Sequence, residues 1–397
     1  MFLEPLVRRN RLFVEAAIRL HQQGEIPANS YVLDVDAVTA NAERFAAEAS
    51  RLALVTYPMT KQVGRNPVLM AACADAGLGA FVAVDMSDAR RIHASGHRVG
   101  HVGHLVQVPA REAGAAAGMS PAHWTVFSVE KAREAAEAAG GAGRIQDLLA
   151  RVHSEGDIFY MGHEGGFPAG EILRVADELD ALEGARFSGI TSFPALLFDQ
   201  ETGEVRATPN LGTLERDREV LRDRGEDVQV NAPGTTSIEV LSVLASAGAT
   251  QVEPGHGLTG TTPLHAVRDL PEVPAVCYLS EISHFHGGRA YCFGGGLYID
   301  PVFPDYQVKT LVGSDPEQVL RDRIPATLVP AEAIDYYGLL DVPPGRAVST
   351  GDTVIFGFRI QAFVTRAFVV PITGVSREAP QVEGIWNSDG AEAVWPG

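Results

Sequence analysis

From about residue 30 to 262, short apolar runs alternate with helical patterns, and this alternation constrains the fold more than any other feature of the chain. The strand candidates are "YVLDVD", "LALVTY", "GAFVAVD", "VGHLVQV", "TVFSV", "DLLARVHS", "FSGITSF", "VQVNAP" and "TQVEPG". Between them lie helices such as "NPVLMAACADAG" and "SIEVLSVLASAG", each closed by glycine, a common C-terminal cap. Strands alternating with helices of this length make parallel βαβ units. Roughly eight units suit a closed (β/α)₈ TIM barrel better than an open doubly wound sheet, which is the alternative.

After about residue 265 the texture changes. "AVCYLSEISHFHGGRAYCFGGGLYID", "GDTVIFGFRIQAFVTRAFVVPITGV" and "PQVEGIWNSDG" are β-rich, with turn residues between runs. The expected organisation is an N-terminal helical segment over 1–29, a barrel over 30–264 and a mainly β C-terminal domain over 265–397. The leading helix could pack on either domain. It is amphipathic with interspersed charge and lacks a cleavage site, so it does not read as a signal peptide. No run approaches the ~18 apolar residues of a membrane span.

Composition excludes some partners. A net charge of −18 disfavours nucleic acid and anionic membranes. Cys73, Cys277 and Cys292 are too few for a disulfide framework, and a reducing cytoplasm is expected.

The chain has only three lysines. Lys131 in "SVEKAREAAEAAG" has Glu and Arg at helical spacing and reads as a solvated face, and Lys309 in "YQVKTLVG" alternates with apolar residues on a strand. Lys61 differs, because "LALVTYPMT" delivers it to the end of a barrel strand, where these folds keep their chemistry. A lysine in a partly apolar pocket is a Schiff-base nucleophile towards carbonyls; a lysine that simply reaches solvent is the alternative.

Near the barrel's end, "VQVNAPGTTSIEVLSVLASAG" runs from strand through Gly234, Thr235, Thr236 and Ser237 into a helix. Amides and hydroxyls at a helix start make an anion site, and phosphates in these barrels favour the loops after strands seven and eight. A capping box of Thr236 and Glu239 would explain the same pattern. The next strand ends "VEPGHGLTGTT", placing Glu253 before a turn where Gly255 and His256 could add amides. A lysine for an aldehyde, two loops for one phosphate and a strand-end carboxylate together suggest pyridoxal 5′-phosphate (PLP).

The segments "LDVDAVTANAERF", "MTKQVGRNP", "GRIQDLL", "NAPGTTS", "VEPGHGLTGT", "LSEISH", "FGGG" and "QAFVTR" carry a resemblance over essentially the whole chain. The chain resembles the fold-type III PLP enzymes, the alanine racemase-like group, and within it the YhfX-type branch. That resemblance implies that Lys61 carries PLP and that Gly234, Thr235, Thr236 and Ser237, with Gly255 and His256, hold the phosphate. It also implies a homodimer in which the partner's β domain completes each site.

Two positions depart from alanine racemase. Glu253 stands where the racemase has an arginine facing the pyridine nitrogen, as in the "EPG" of related decarboxylases. A glutamate keeps that nitrogen protonated, which an arginine cannot do. Phe293, in "AYCFGGG", stands where the racemases have a catalytic tyrosine. Cys292 is the expected replacement acid/base, with Tyr291 and Tyr298 as alternatives and a buried core cysteine as the plain explanation.

The remaining motifs are weaker. Gly294, Gly295 and Gly296 follow the "EPG" element and suggest a bulge or a close approach to the cofactor. His284 and His286 alternate on a strand without a third ligand, so no metal is expected. His104, in "GHVGHLVQ", is expected on or near the cofactor ring, and Tyr336 and Tyr337 either line the site or pack the β domain. The expected activity is that of an amino-acid racemase or epimerase acting on a small-molecule substrate. The alternatives are a PLP-dependent decarboxylase or lyase and a non-catalytic PLP-binding homeostasis protein.

Overall fold

The computed structural model describes residues 1–223, 225, 227–298 and 301–395. They divide into two compact units, one of residues 43–60 with 73–255, the other of residues 1–42, 61–72 and 256–397.

The first unit is the barrel. Its eight parallel strands, in chain order, are Val55–Thr56, Ala80–Ala83, Arg98–Val102, His123–Val126, Gln146–His153, Ala185–Thr191, Gln229–Asn231 and Gln251–Val252. The last strand returns to pair with the first, at Gln251 with Val55, and a single bridge from Met59 to Val82 joins the first to the second. Crossover helices cover the outside. Helix Met86–Ala94 is capped by Asp85, which accepts from the Asp88 amide at 2.9 Å. Helix Val129–Gly141 is capped by Ser128 and buries Ala132, Ala135, Ala136 and Ala139 at helical spacing. Gly189 lets the sixth and seventh strands approach, since a Cβ there would meet the Gln229 carbonyl oxygen at 2.0 Å.

Two expectations need correction here. "YVLDVD" was expected as a barrel strand, but Ser30–Asp34 pairs antiparallel with Val276–His286 and parallel with Phe368–Thr373. The expected boundary at residue 30 therefore moves, because this strand is central to the other unit's sheet. The third barrel strand is Arg98–Val102 rather than "VGHLVQV", so His104 lies just beyond its end.

The second unit is built on a nine-stranded, mostly antiparallel sheet. Helix Arg11–Gln22 lays Phe13, Val14, Ala17, Ile18 and Leu20 against Cys277, Leu279, Leu311, Ile355 and Val370. The N-terminal helices thus pack on the β unit, where their apolar stripe finds a sheet face to bury. Among the described residues, no helix is long and apolar enough to cross a membrane.

Candidate active site

In the barrel unit, a chain of buried polar side chains crosses five strands. His101, on the third strand, meets Glu253 through Nδ1 at 2.5 Å and Thr125 through Nε2 at 2.6 Å. An ionised carboxylate only accepts, so Nδ1 of His101 is the donor to Glu253. Asn231 Nδ2 donates to the same oxygen of Glu253 at 3.0 Å, while its Oδ1 accepts from Thr191 Oγ1 at 2.8 Å. Every member of this chain is buried.

Glu253 Oε2 accepts no hydrogen bond, although His104 Nε2 lies 3.3 Å away. Burial pushes the Glu253 pKa up, but the two histidines and the hydrogen bonds from His101 and Asn231 outweigh it, and the pKa lies below the ordinary carboxylate value. His104 is itself fully buried, with its ring 5.4 Å from His101 and 5.7 Å from Phe193. His101, His104 and Glu253 also lie close enough to hold a cation. Both His101 nitrogens are already used, however, which leaves that trio short of a ligand.

The loop after the seventh strand runs through Gly234, Thr235, Thr236 and Ser237. It packs so closely that a Cβ on Gly234 would sit 2.7 Å from the Leu196 backbone. The Thr235 amide is committed to the Leu196 carbonyl at 3.0 Å, so Thr235 can offer an anion only its hydroxyl. The Thr236 hydroxyl donates to the Gly234 carbonyl at 3.2 Å. Ser237, not Thr236, occupies the cap position of the following helical turn, and its side chain makes no capping bond. The Ser237 hydroxyl is buried without a partner.

In the β unit, Asn66 caps helix Pro67–Asp75 and sets the end of the segment that carries Lys61. Lys61 Nζ stands 5.0 Å from the centre of the Phe363 ring. His256 opens the next stretch of this unit and contacts the Ile360 carbonyl oxygen through Nε2 at 2.8 Å, which makes Nε2 the donor. Burial and the neighbouring Arg359 and Lys61 charges hold its pKa well below the ordinary value, so the ring is neutral. Gly255 is the last residue of the barrel unit.

Cys292, the expected acid/base, lies on a strand of the β unit. Its thiol is fully buried in strand Arg289–Phe293, beside Gly338, and burial pushes its pKa up to about 12. Alternation on the strand sends Tyr291 and Phe293 to the opposite face, where Tyr291 stacks on His284 at 4.5 Å and Phe293 meets Tyr337 at 6.0 Å. The three glycines after Phe293 make a close approach to protein: added Cβ atoms would strike Asp335, Asn29 and Tyr278.

His101, Thr125 and Asn231 were missed in the sequence. The signal for His101 was present in "GHVGHL", whose first histidine falls on the strand and whose second falls past it.

The alanine racemase N-terminal domain family matches residues 33–263, and the YhfX-like C-terminal domain family matches residues 277–382. The chain belongs to the alanine racemase-like, fold-type III family. It is 39% identical over 391 residues to a protein of Escherichia coli (strain K12) described as uncharacterized protein YhfX, covering 98% of this chain and 99% of that one. Three solved structures are similar in fold. D-threonine aldolase from Filomicrobium marinum has a TM-score of 0.70 and 18% identity, covering 92% of this chain and 95% of its own. D-threo-3-hydroxyaspartate dehydratase from Delftia sp. HT23 has a TM-score of 0.65 and 16% identity, covering 91% and 97%. Alanine racemase of Clostridium difficile 630, in complex with cycloserine, has a TM-score of 0.62 and 13% identity, covering 91% and 99%. The family is PLP-dependent. The residues present fit that cofactor: a buried ionised carboxylate keeps one oxygen free of hydrogen bonds for a ring N–H, and a buried serine hydroxyl waits on a Gly-Thr-Thr loop.

Proposed function

We propose that this chain is a PLP-dependent enzyme that breaks a bond at the α-carbon of an amino acid, as a decarboxylase or lyase does. The supporting observation is Glu253, buried, held ionised by His104, His101 and Asn231, and without a hydrogen bond at Oε2. When bound, PLP supplies an electron sink for the α-carbon. Glu253 holds the proton on the pyridine nitrogen, and the hydrogen bonds from His101 and Asn231 fix the orientation of its carboxylate. His104, 3.3 Å from the same carboxylate, would flank the cofactor when it is bound. Gly234, Thr235, Thr236 and Ser237, with Gly255 and His256, hold the phosphate, Ser237 through its unpartnered hydroxyl. The Lys61 amine carries the cofactor and then moves a proton at the substrate α-carbon.

The burial of Cys292 shifts the balance away from a racemase, which needs a second acid/base. Racemisation remains the second reading, favoured by Tyr291 on the outward face next to Phe293. In that reading the protein is a homodimer and Tyr291 serves the partner's site. The three buried, free cysteines suit a reducing cytoplasm.

The test is to incubate purified holoprotein with a panel of amino acids while following product mass and chirality together. Loss of carboxylate, water or an aldehyde supports the proposal. An unchanged mass with inverted chirality would replace it with the racemase.

A further inference from the structure

The N-terminal ends of the barrel strands enclose a cavity of about 720 Å³. His123, Gln229 and Gln251 line it, and they open the fourth, seventh and eighth strands. Glu253 follows the other end of the eighth strand, so this face of the barrel lies away from the candidate active site. Gln251 is fully buried, and its Nε2 donates to His123 Nε2 at 2.9 Å and to Gln229 Oε1 at 3.1 Å. Gln229 Oε1 also accepts from Thr250 Oγ1 at 2.9 Å. Both amide protons of Gln251 are thereby used, and His123 Nε2 is an acceptor. Burial pulls the His123 pKa down to about 4, so the ring is neutral and its proton sits on Nδ1.

Two atoms of this floor are left over. His123 Nδ1 and Gln251 Oε1 are buried without a hydrogen-bond partner. Unmet buried polar atoms cost stability, and this face of a barrel is normally where a fold secures its stability. A bound ligand that accepts from one and donates to the other explains both. The walls set its charge. Asp147, Asp180, Asp227 and Arg186 line the cavity, three carboxylates against one guanidinium. Arg186 is committed to Asp147, donating to Oδ1 through Nε at 2.9 Å and Nη2 at 2.6 Å. Asp180 accepts only a backbone amide, that of Phe187 at 2.7 Å, and Asp227 is exposed at the rim. The excess of carboxylates favours a cation.

We propose that this end of the barrel binds a small organic cation that also carries an acceptor oxygen. An N–H of the cation donates to Gln251 Oε1, its oxygen accepts from His123 Nδ1, and Asp180 and Asp227 balance its charge. The site is separate from the cofactor and does not depend on the PLP reading.

Two probes of similar shape separate charge from hydrogen bonding. 2-Guanidinoethanol is a cation and 2-hydroxyethylurea is neutral, and neither has a primary aliphatic amine to react with PLP. Each is titrated calorimetrically into the wild type, Gln251→Leu and Asp227→Asn. The wild type should bind the cation about tenfold more tightly than the urea. Gln251→Leu should lose about tenfold for both probes, because the acceptor is gone. Asp227→Asn, at an exposed position, should weaken the cation alone and narrow the gap between the probes. If Gln251→Leu does not fold, Asp227→Asn decides. Equal affinity of the wild type for the two probes would overturn the cationic class. A wild type that binds neither probe at millimolar concentration would overturn the proposal and leave the cavity a hydrated barrel end. So would affinities for 2-guanidinoethanol that are the same in the wild type and in every variant that folds.

Discussion

The two units bury opposite kinds of chemistry. The barrel unit encloses a connected polar chain, from Thr125 through His101, Glu253 and Asn231 to Thr191, with an ionised carboxylate at its middle. The β unit encloses Cys277, Cys292, Tyr31, Tyr278 and Phe356 and keeps Tyr291, Phe293 and Tyr337 on its outer face. A connected polar interior with one carboxylate oxygen left without a hydrogen bond is expensive to assemble, and it marks where a barrel does chemistry. A buried thiol among apolar neighbours is simply core.

The largest expected effect is at Lys61. Lys61→Ala should abolish covalent retention of PLP, so that the protein leaves gel filtration colourless, while Lys131→Ala and Lys309→Ala stay yellow. Any turnover found with the amino-acid panel should fall by about 10³-fold or more.

Glu253→Gln comes next. It weakens a pair of buried hydrogen bonds, and a cost of about 1–3 kcal/mol should appear in denaturant unfolding near neutral pH. The pH dependence has a definite sign. A depressed carboxylate pKa means that Glu253 stabilises the fold above its ordinary pKa, and this contribution disappears as the pH falls through the depressed value. The stability curves of wild type and Glu253→Gln should therefore converge on the acid side. A gap that widens there would mean Glu253 is neutral in the fold.

Much of this was legible in the sequence, and the failures share a cause. Lys61, Glu253 and the Gly-Thr-Thr-Ser turn could be placed because each follows a recognisable apolar strand. Periodicity cannot say which distant strands will pair, so Ser30–Asp34, a strand followed by a helix, looked like the first barrel unit although its hydrogen bonds lie with residues 276–279 and 368–372. Parity is equally hidden. One residue's shift along Arg289–Phe293 decides whether Cys292 or Tyr291 is exposed, and the sequence of a strand flanked by glycines does not fix it.

Ser237→Ala should act on the cofactor alone. Its hydroxyl has no hydrogen-bond partner among the described residues, so the apo-protein should be no less stable, while PLP affinity falls by about tenfold or more as a charge-assisted hydrogen bond is lost. Unchanged affinity would move the phosphate elsewhere.

The smallest effect is expected at Cys292. Burial and a pKa near 12 predict that native protein at pH 8 does not react with maleimide at this thiol. Cys292→Ser should cost about 1–2 kcal/mol of stability and leave cofactor binding alone. Rapid labelling would return Cys292 to the list of candidate acid/bases and sharpen the racemase reading.

The claim tested most directly is that the lysine delivered by the first barrel strand carries the cofactor. Holoprotein should be reduced with borohydride, digested and mapped by mass spectrometry. The mass of reduced PLP is predicted on the peptide containing Lys61. Its appearance at Lys131 or Lys309, or on no peptide at all, would contradict the account.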